Sequence, residues 1–310
     1  MLRRLVAIVG PTASGKSAIA LALAQRLGGE IVNADSRQVY AGMEIGTAAP
    51  SAAEKRLVRH HLYGFRDPRE NYSLALYQRD ARAALDAIWA RDQFAWLIGG
   101  TGQYAWGLLE NWSVPEVAPD EALRAKLGAF AQTLGAEALH EQLRAIDPIA
   151  ADQIDARNIR RVIRAIEVFE HTGVPISTWQ TKSNPDFEFL LFSMRSTLDL
   201  IDERIGRRVD AMFEAGFEAE VAALLTAGVS STEGAMSSIG YREVTQLIRG
   251  ELTRGEAIES TKRATRRLAR RQAQWFRKED RRITWVDDAD DIEMQANIFT
   301  GACTNASRRA

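Results

Sequence analysis

The apolar positions of this chain change their period along its length, and the changes outline an α/β protein. Leu5-Val6-Ala7-Ile8-Val9 is a continuous apolar run of strand length; Gly10 breaks it, and Ala18 to Leu27 then repeats alanine and leucine at helical spacing until Gly28 and Gly29 end it. A second short strand, Glu30-Ile31-Val32-Asn33, follows at once. Two strands joined through one helix imply a parallel pair with a right-handed crossover. Further buried strands are expected at Phe94 to Ile98, Phe187 to Phe192 and Ile283 to Val286, most of them separated by helical patterns. That alternation requires a doubly wound sheet.

From Pro115 to about Asp155 the pattern becomes alanine-, leucine- and glutamate-rich with no strand-like run, which predicts a helical insertion. The expected organisation is an α/β core over 1–114, a helical insertion over 115–157, the rest of the core over 158–290 ending in a basic helix, and a flexible polar tail over 291–310.

Composition narrows the class. With 310 residues, 46% apolar and 26% charged, the chain is an ordinary globular protein with a sizeable core, not a collagen, coiled coil or disordered chain. The net charge of −1 means that a nucleic-acid surface must come from uneven placement of charge. The single cysteine, Cys303, excludes an intramolecular disulfide and a cysteine-rich zinc module, and suits a reducing compartment. Leu5 to Val9 is too short for a signal segment or a membrane span. A cytoplasmic protein acting as a monomer, with no membrane partner, is expected.

The strongest chemical signal is Gly10-Pro11-Thr12-Ala13-Ser14-Gly15-Lys16-Ser17, a full P-loop pattern set between a predicted strand and a predicted helix. Successive backbone N–H groups at a helix N-terminus form an anion nest, Lys16 would reach the terminal phosphates, and the Ser17 hydroxyl would ligate Mg2+. A P-loop says diphosphate or triphosphate, not what happens to it. Phe94 to Ile98 ends in Gly99-Gly100-Thr101, without the acidic residue an ordinary NTPase carries there. The candidate carboxylate is Asp35, just past the second strand, where it would face the crevice at the strand ends; its bland alternative is a turn former beside Ser36. Arg204 and Arg208, spaced i,i+4 opposite an Ile201, Ile205, Val209 and Met212 stripe, would close on the diphosphate, or else lie on a solvated helix surface.

The order and spacing of these segments, with Ala34-Asp35-Ser36-Arg37-Gln38-Val39-Tyr40, Gly46-Thr47-Ala48, Gly99-Gly100-Thr101-Gly102-Gln103-Tyr104, Arg160 to Glu167, Gly216 to Val221, Gly240-Tyr241-Arg242 and Arg266 to Gln272, resembles the tRNA dimethylallyltransferases of bacterial form. The resemblance covers nearly the whole chain. It implies a P-loop fold that binds dimethylallyl diphosphate in place of ATP, with the adenine of a tRNA anticodon loop entering the opposite end of a channel. On that resemblance Asp35 is the general base on the exocyclic amine, Thr101 hydrogen-bonds near the amine and the diphosphate, and Ser36, Arg37 and Gln38 contact the flipped base and its neighbours. Gly240, Tyr241 and Arg242 join the tRNA contacts, and the insertion grips the anticodon stem-loop.

Two basic clusters fit an RNA partner. Lys262 to Arg282 is crowded with arginine, and at helical spacing Arg263, Arg267, Arg270 and Arg277 share a face while Ala264, Leu268 and Trp275 lie towards the core. Arg160, Arg161 and Arg164 form the second cluster, on a helix whose Ile159, Val162, Ile163 and Ile166 face inward. The adjacent His60 and His61 suit a structural role. Two departures from the family pattern stand out: Ala49 replaces a common lysine, and Gln103 a common leucine. An adenylate isopentenyltransferase acting on a free nucleotide, a P-loop nucleotide kinase and a noncatalytic RNA-binding module are the competing readings.

Overall fold

The structure is a computed structural model that describes residues 3–179, 181–231 and 234–301. Six strands, β1 (Arg4–Val9), β2 (Glu30–Asn33), β3 (His60–His61), β4 (Ala95–Gly99), β5 (Glu188–Met194) and β6 (Thr284–Val286), form one sheet in the order β3-β2-β4-β1-β5-β6. All pairings are parallel. The expected α/β fold, a P-loop NTPase-like parallel sheet flanked by helices, is what the chain adopts. The central strands assume it because they are buried on both faces: in β1, Leu5, Val6, Ala7, Ile8 and Val9 are all 0% exposed.

Parallel strands bring their carboxyl ends to one edge of the sheet. There β1 delivers Gly10, β2 delivers Ala34 and β4 delivers Gly100. The β2 and β4 ends touch because Gly99 has no side chain: a Cβ on it would lie 2.1 Å from the Ala34 carbonyl carbon. One face of the sheet packs Val6, Ile8, Trp96 and Ile98 against Ala20 and Leu23 of the helix Lys16–Leu27. A second core unites the helices Leu198–Glu214, Phe217–Thr226, Tyr241–Ile248 and Arg254–Ala273 around Phe213, Phe217 and Tyr241.

β3 is too short to read from periodicity, and its histidines hold the sheet edge. The His61 imidazole meets the buried Glu30 carboxylate at 2.6 Å, and Arg91 donates to the same group at 2.8 and 3.0 Å. Burial alone would raise the Glu30 pKa, yet Arg91 and His61 outweigh it and hold the carboxyl below its ordinary value.

Residues Glu110–Asn184 form a second compact unit. It is wider than the expected 115–157 insertion, because the helix Ile159–Thr172 buries Val162, Ala165 and Ile166 with Leu127, Leu139 and Leu143 of the preceding helices. The same unit encloses Glu167, 0% exposed, which takes hydrogen bonds from Arg124, Arg164 and the Asp120 N–H. A buried carboxylate held by two guanidiniums and a backbone N–H ties the start of one helix to another, and removing all of its partners would strand a charge.

The expected flexible tail over 291–310 is also corrected in part. Residues Ala289–Thr300 are helical: Asp288 caps the first turn by accepting from the Asp290 and Asp291 N–H groups, and Ile292 and Ala296 are buried in the sheet-side core. Residues 302–310, with Cys303, lie outside the described residues. Among the described residues, no helix is long and apolar enough to cross a membrane.

Candidate active site

The phosphate cradle grows directly from β1. Gly10 and Gly15 take φ of 139° and 93°, which only glycine adopts without strain, so the chain curls from strand end into helix start. Lys16 is 9% exposed and its ammonium donates to the Pro11 carbonyl at 3.1 Å, folding across the loop. Burial pushes its pKa down to about 8; the Asp35 charge opposes that shift and the Arg208 charge adds to it. Ser17 is exposed at the first turn of the helix.

Arg204 and Arg208 do reach the loop. Arg208 donates to Thr12 Oγ1 at 3.1 Å, and Arg204 to the Ser14 carbonyl at 3.3 Å. Burial lowers the Arg208 pKa, with Asp35 opposing. Three cations therefore converge on one loop with Asp35 within electrostatic reach. Such a cluster is costly without an anion and is relieved by one.

Asp35 is fixed by its neighbours. The Asn33 side chain accepts from the Asp35 N–H at 2.8 Å and donates to the Asp35 carbonyl at 3.0 Å and to the Leu62 carbonyl at 2.9 Å. One carboxylate oxygen of Asp35 accepts from the Arg37 N–H at 2.9 Å; among the described residues no donor meets the other. Thr101 is bound to the same loop: its N–H donates to the Ala34 carbonyl at 3.1 Å, and its hydroxyl accepts from the Ser36 N–H at 3.0 Å. Asp35, Ser36, Arg37, Thr101, Thr12 and Arg208 line one cavity of about 470 Å³, a volume suited to a small ligand.

Several expected contacts are spent elsewhere. The Gln38 amide donates to the Thr47 and Ala48 carbonyls at 3.0 and 2.9 Å and so holds a turn instead of presenting its N–H groups to a base edge. Tyr241 borders the cavity but is 0% exposed, with its hydroxyl donating to Glu220 at 2.6 Å. Gly240 begins that helix and gives its N–H to Glu243, whose other oxygen pairs with the exposed Arg242. Arg164 is committed to Glu167. Arg270 pairs with Asp202 at 2.9 Å, whereas Arg263 and Arg267 are exposed on the same helix. Arg277 does not share their face, because the helix ends at Ala273. Trp275 lies at the cavity, 40% exposed with its ring over Gly102, and not in the core. Arg160 and Arg161 are exposed on the second unit.

Sequence reasoning missed Asn33, Gln272 and Glu220. Gln272, 7% exposed, accepts from the Thr12 N–H at 2.8 Å, which ties the arginine-rich helix to the cradle. An asparagine two residues before the candidate base is an Asx-turn signal that would have pointed to Asn33. Glu220 and Gln272 fall in segments that carry the family resemblance, but nothing local tells what they bond, since their partners are far away in sequence.

Comparison with known proteins agrees with this geometry. The IPP transferase family model matches residues 38–279, and the isopentenyl transferase model matches residues 3–64. The chain is 48% identical to the tRNA dimethylallyltransferase of Herpetosiphon aurantiacus over 95% of this chain and 93% of that protein. It is 46% identical to that of Roseiflexus sp. over 94% and 96%. The full-length tRNA isopentenylpyrophosphate transferase of Bacillus halodurans superposes with a TM-score of 0.69 at 38% identity, covering 96% of each chain. A eukaryotic dimethylallyltransferase solved acting on tRNA gives a TM-score of 0.78 at 27% identity, covering 99% of this chain and 77% of that one. A P-loop whose Thr12 lines one cavity with a carboxylate and a threonine, together with a family match over most of the chain, shows that this protein belongs to the tRNA dimethylallyltransferases, a family of prenyltransferases.

Proposed function

We propose that the chain transfers a dimethylallyl group from dimethylallyl diphosphate to the exocyclic N6 of the adenosine 3′ of the anticodon in tRNA, releasing diphosphate. The observation that carries the reading is the shared cavity: Asp35, with one carboxylate oxygen uncommitted, opens onto the same space as Thr12, Arg208 and Thr101. The end of β4 bears Gly99-Gly100-Thr101 and no carboxylate, which argues against nucleoside triphosphate hydrolysis.

In this mechanism N6 attacks the first prenyl carbon while the bond from that carbon to the diphosphate oxygen breaks, and Asp35 accepts the proton from N6. An adenine amine is a weak nucleophile, so removing its proton as the new bond forms lowers the barrier. Lys16, Arg204, Arg208 and the loop N–H groups stabilise the charge that gathers on the departing diphosphate, a preorganised electrostatic contribution. Thr101, anchored to Ser36, orients the amine.

Magnesium fits the residues present. The exposed Ser17 hydroxyl offers one hard oxygen donor, and among the described residues no group of three His, Cys, Asp or Glu forms an all-protein cage. That donor set suits a cation held mainly by phosphate oxygens and water. When bound, it would neutralise charge on the diphosphate.

The exposed Arg263 and Arg267 of the core unit are positive surface of the kind that an RNA backbone requires, and so, separately, are the exposed Arg160 and Arg161 of the second unit. The test is incubation of the protein and Mg2+ with labelled dimethylallyl diphosphate and, in parallel, tRNA or AMP. Label on tRNA alone is expected. Label on AMP alone would assign a free-nucleotide enzyme, and label on neither, with phosphoryl transfer from ATP, would assign a kinase.

A further inference from the structure

The Glu220 carboxylate sits at the junction of three segments that are remote in sequence. It accepts from the Ile45 N–H at 2.7 Å, from the Gly46 N–H at 3.0 Å and from the Tyr241 hydroxyl at 2.6 Å. Burial and the Glu220 charge hold the Tyr241 phenol well above its ordinary pKa, so it stays a donor. The two N–H groups belong to the helical turn Glu44–Thr47, whose Gly46 and Thr47 line the cavity. Gly46 packs so closely that a Cβ there would fall 2.2 Å from the Phe217 ring and 2.6 Å from the Tyr241 ring. The carbonyl groups at the far end of this turn, those of Thr47 and Ala48, take both N–H bonds of the Gln38 amide. Gln38 closes the loop that begins at Asp35.

We propose that Glu220 is a positioning residue for prenyl transfer, acting through the Glu44–Thr47 turn and Gln38 to fix the loop that carries Asp35. The assignment rests on the proposed function above. It follows from how the loop is held. At its start Asn33 grips the Asp35 backbone, and Thr101 grips Ser36. At its end the Gln38 and Val39 carbonyls accept from the Gly64, Phe65 and Arg66 N–H groups, and the Gln38 side chain ties the loop across to the turn, which is itself anchored by a carboxylate. A charged acceptor for two adjacent backbone N–H groups is a strong, directional anchor. Losing it leaves those N–H groups facing an apolar pocket of Phe217 and frees the turn to rotate, so the loop would keep its backbone bonds to Gly64, Phe65 and Arg66 but lose the Gln38 side-chain tie that completes its hold. A displacement near 1 Å at a reacting group costs about 100-fold in rate without removing any substrate contact.

The role predicts a particular kinetic signature in the full-length enzyme with tRNA and dimethylallyl diphosphate. Glu220→Ala is expected to lower kcat by about 10- to 100-fold with KM for the diphosphate substrate changed by no more than about twofold. Glu220→Gln, which keeps one carbonyl acceptor, should fall between it and the wild type. Gln38→Leu cuts the other end of the path without touching the Glu220 contacts, and covers the case in which Glu220→Ala does not fold. It should reproduce the kcat loss, and the Gln38→Leu, Glu220→Gln double variant should be no slower than the slower single variant. If the wild type transfers label and Gln38→Leu and Glu220→Gln both keep kcat within about twofold while melting at lower temperature, Glu220 is a strut only and the assignment is overturned. Additive losses in the double variant would also overturn it. A wild type that transfers no label overturns the parent reading, and this one with it.

Discussion

Lys16 stands where a deeply held cation would be most unstable without an anion. Its ammonium is buried beside Arg208, and burial brings its pKa to about 8. A bound diphosphate reverses the sign of the environment and raises that value, so between the free and bound pKa values binding takes up a proton. Diphosphate binding is therefore expected to draw a proton at pH 9, read by calorimetry in buffers of different ionisation enthalpy, and affinity attributable to Lys16 should fall as pH rises through 8. Lys16→Arg, which stays charged, should show no such uptake. In the unliganded protein the linkage runs the other way: the unfolded lysine holds its proton up to about 10.5, so stability gains a contribution as pH rises from about 8. Gly99 offers a steric test at the same scale. Its Cβ would enter the Ala34 carbonyl, which is main chain and cannot swing aside, so Gly99→Ala should melt at markedly lower temperature, by more than the usual 1–3 kcal/mol overpacking cost.

At the scale of elements, the helix Arg254–Ala273 has two ends with different duties. Gln272 at its carboxyl end bonds the Thr12 N–H of the cradle, and Asp202 holds Arg270 against the helix Leu198–Glu214, which carries Arg204 and Arg208. Arg263 and Arg267 remain exposed. Reversing both to glutamate should weaken tRNA binding at low salt and flatten its dependence on salt by about 0.7 per lost contact to flexible single strand, with diphosphate affinity unchanged. Equal losses for both ligands would contradict the division. This helix also shows what a sequence reveals and what it hides. The P-loop and the central strands were legible because each is a local pattern, a glycine spacing or an apolar run. Whether an arginine is free was not legible: Arg263 and Arg270 read alike, and only the remote Asp202 distinguishes them. The motif match of their segments predicts that Gln38 and Tyr241 contact the substrate; in the fold they turn inward to Thr47 and Glu220, partners that no local pattern announces.

For the molecule as a whole, the cavity residues all come from one compact unit, 1–109 with 185–310, and the second unit, Glu110–Asn184, has a core of its own. Its boundary escaped the sequence because helical periodicity does not change at residue 158; the shift lies in which core the apolar stripe of Ile159–Thr172 enters. A fragment spanning 110–184 is expected to be helical by circular dichroism and to melt cooperatively, and Arg124→Ala, which leaves Glu167 only Arg164 and the Asp120 N–H as partners, should cost about 1.5–3 kcal/mol. The account as a whole depends on proton removal from N6 by Asp35. The most direct test is single-turnover transfer from dimethylallyl diphosphate to saturating tRNA by the wild type and by Asp35→Asn, with tRNA affinity measured alongside. A rate lower by about 10²- to 10⁴-fold at unchanged tRNA affinity is predicted; an Asp35→Asn enzyme that transfers at the wild-type rate would contradict it.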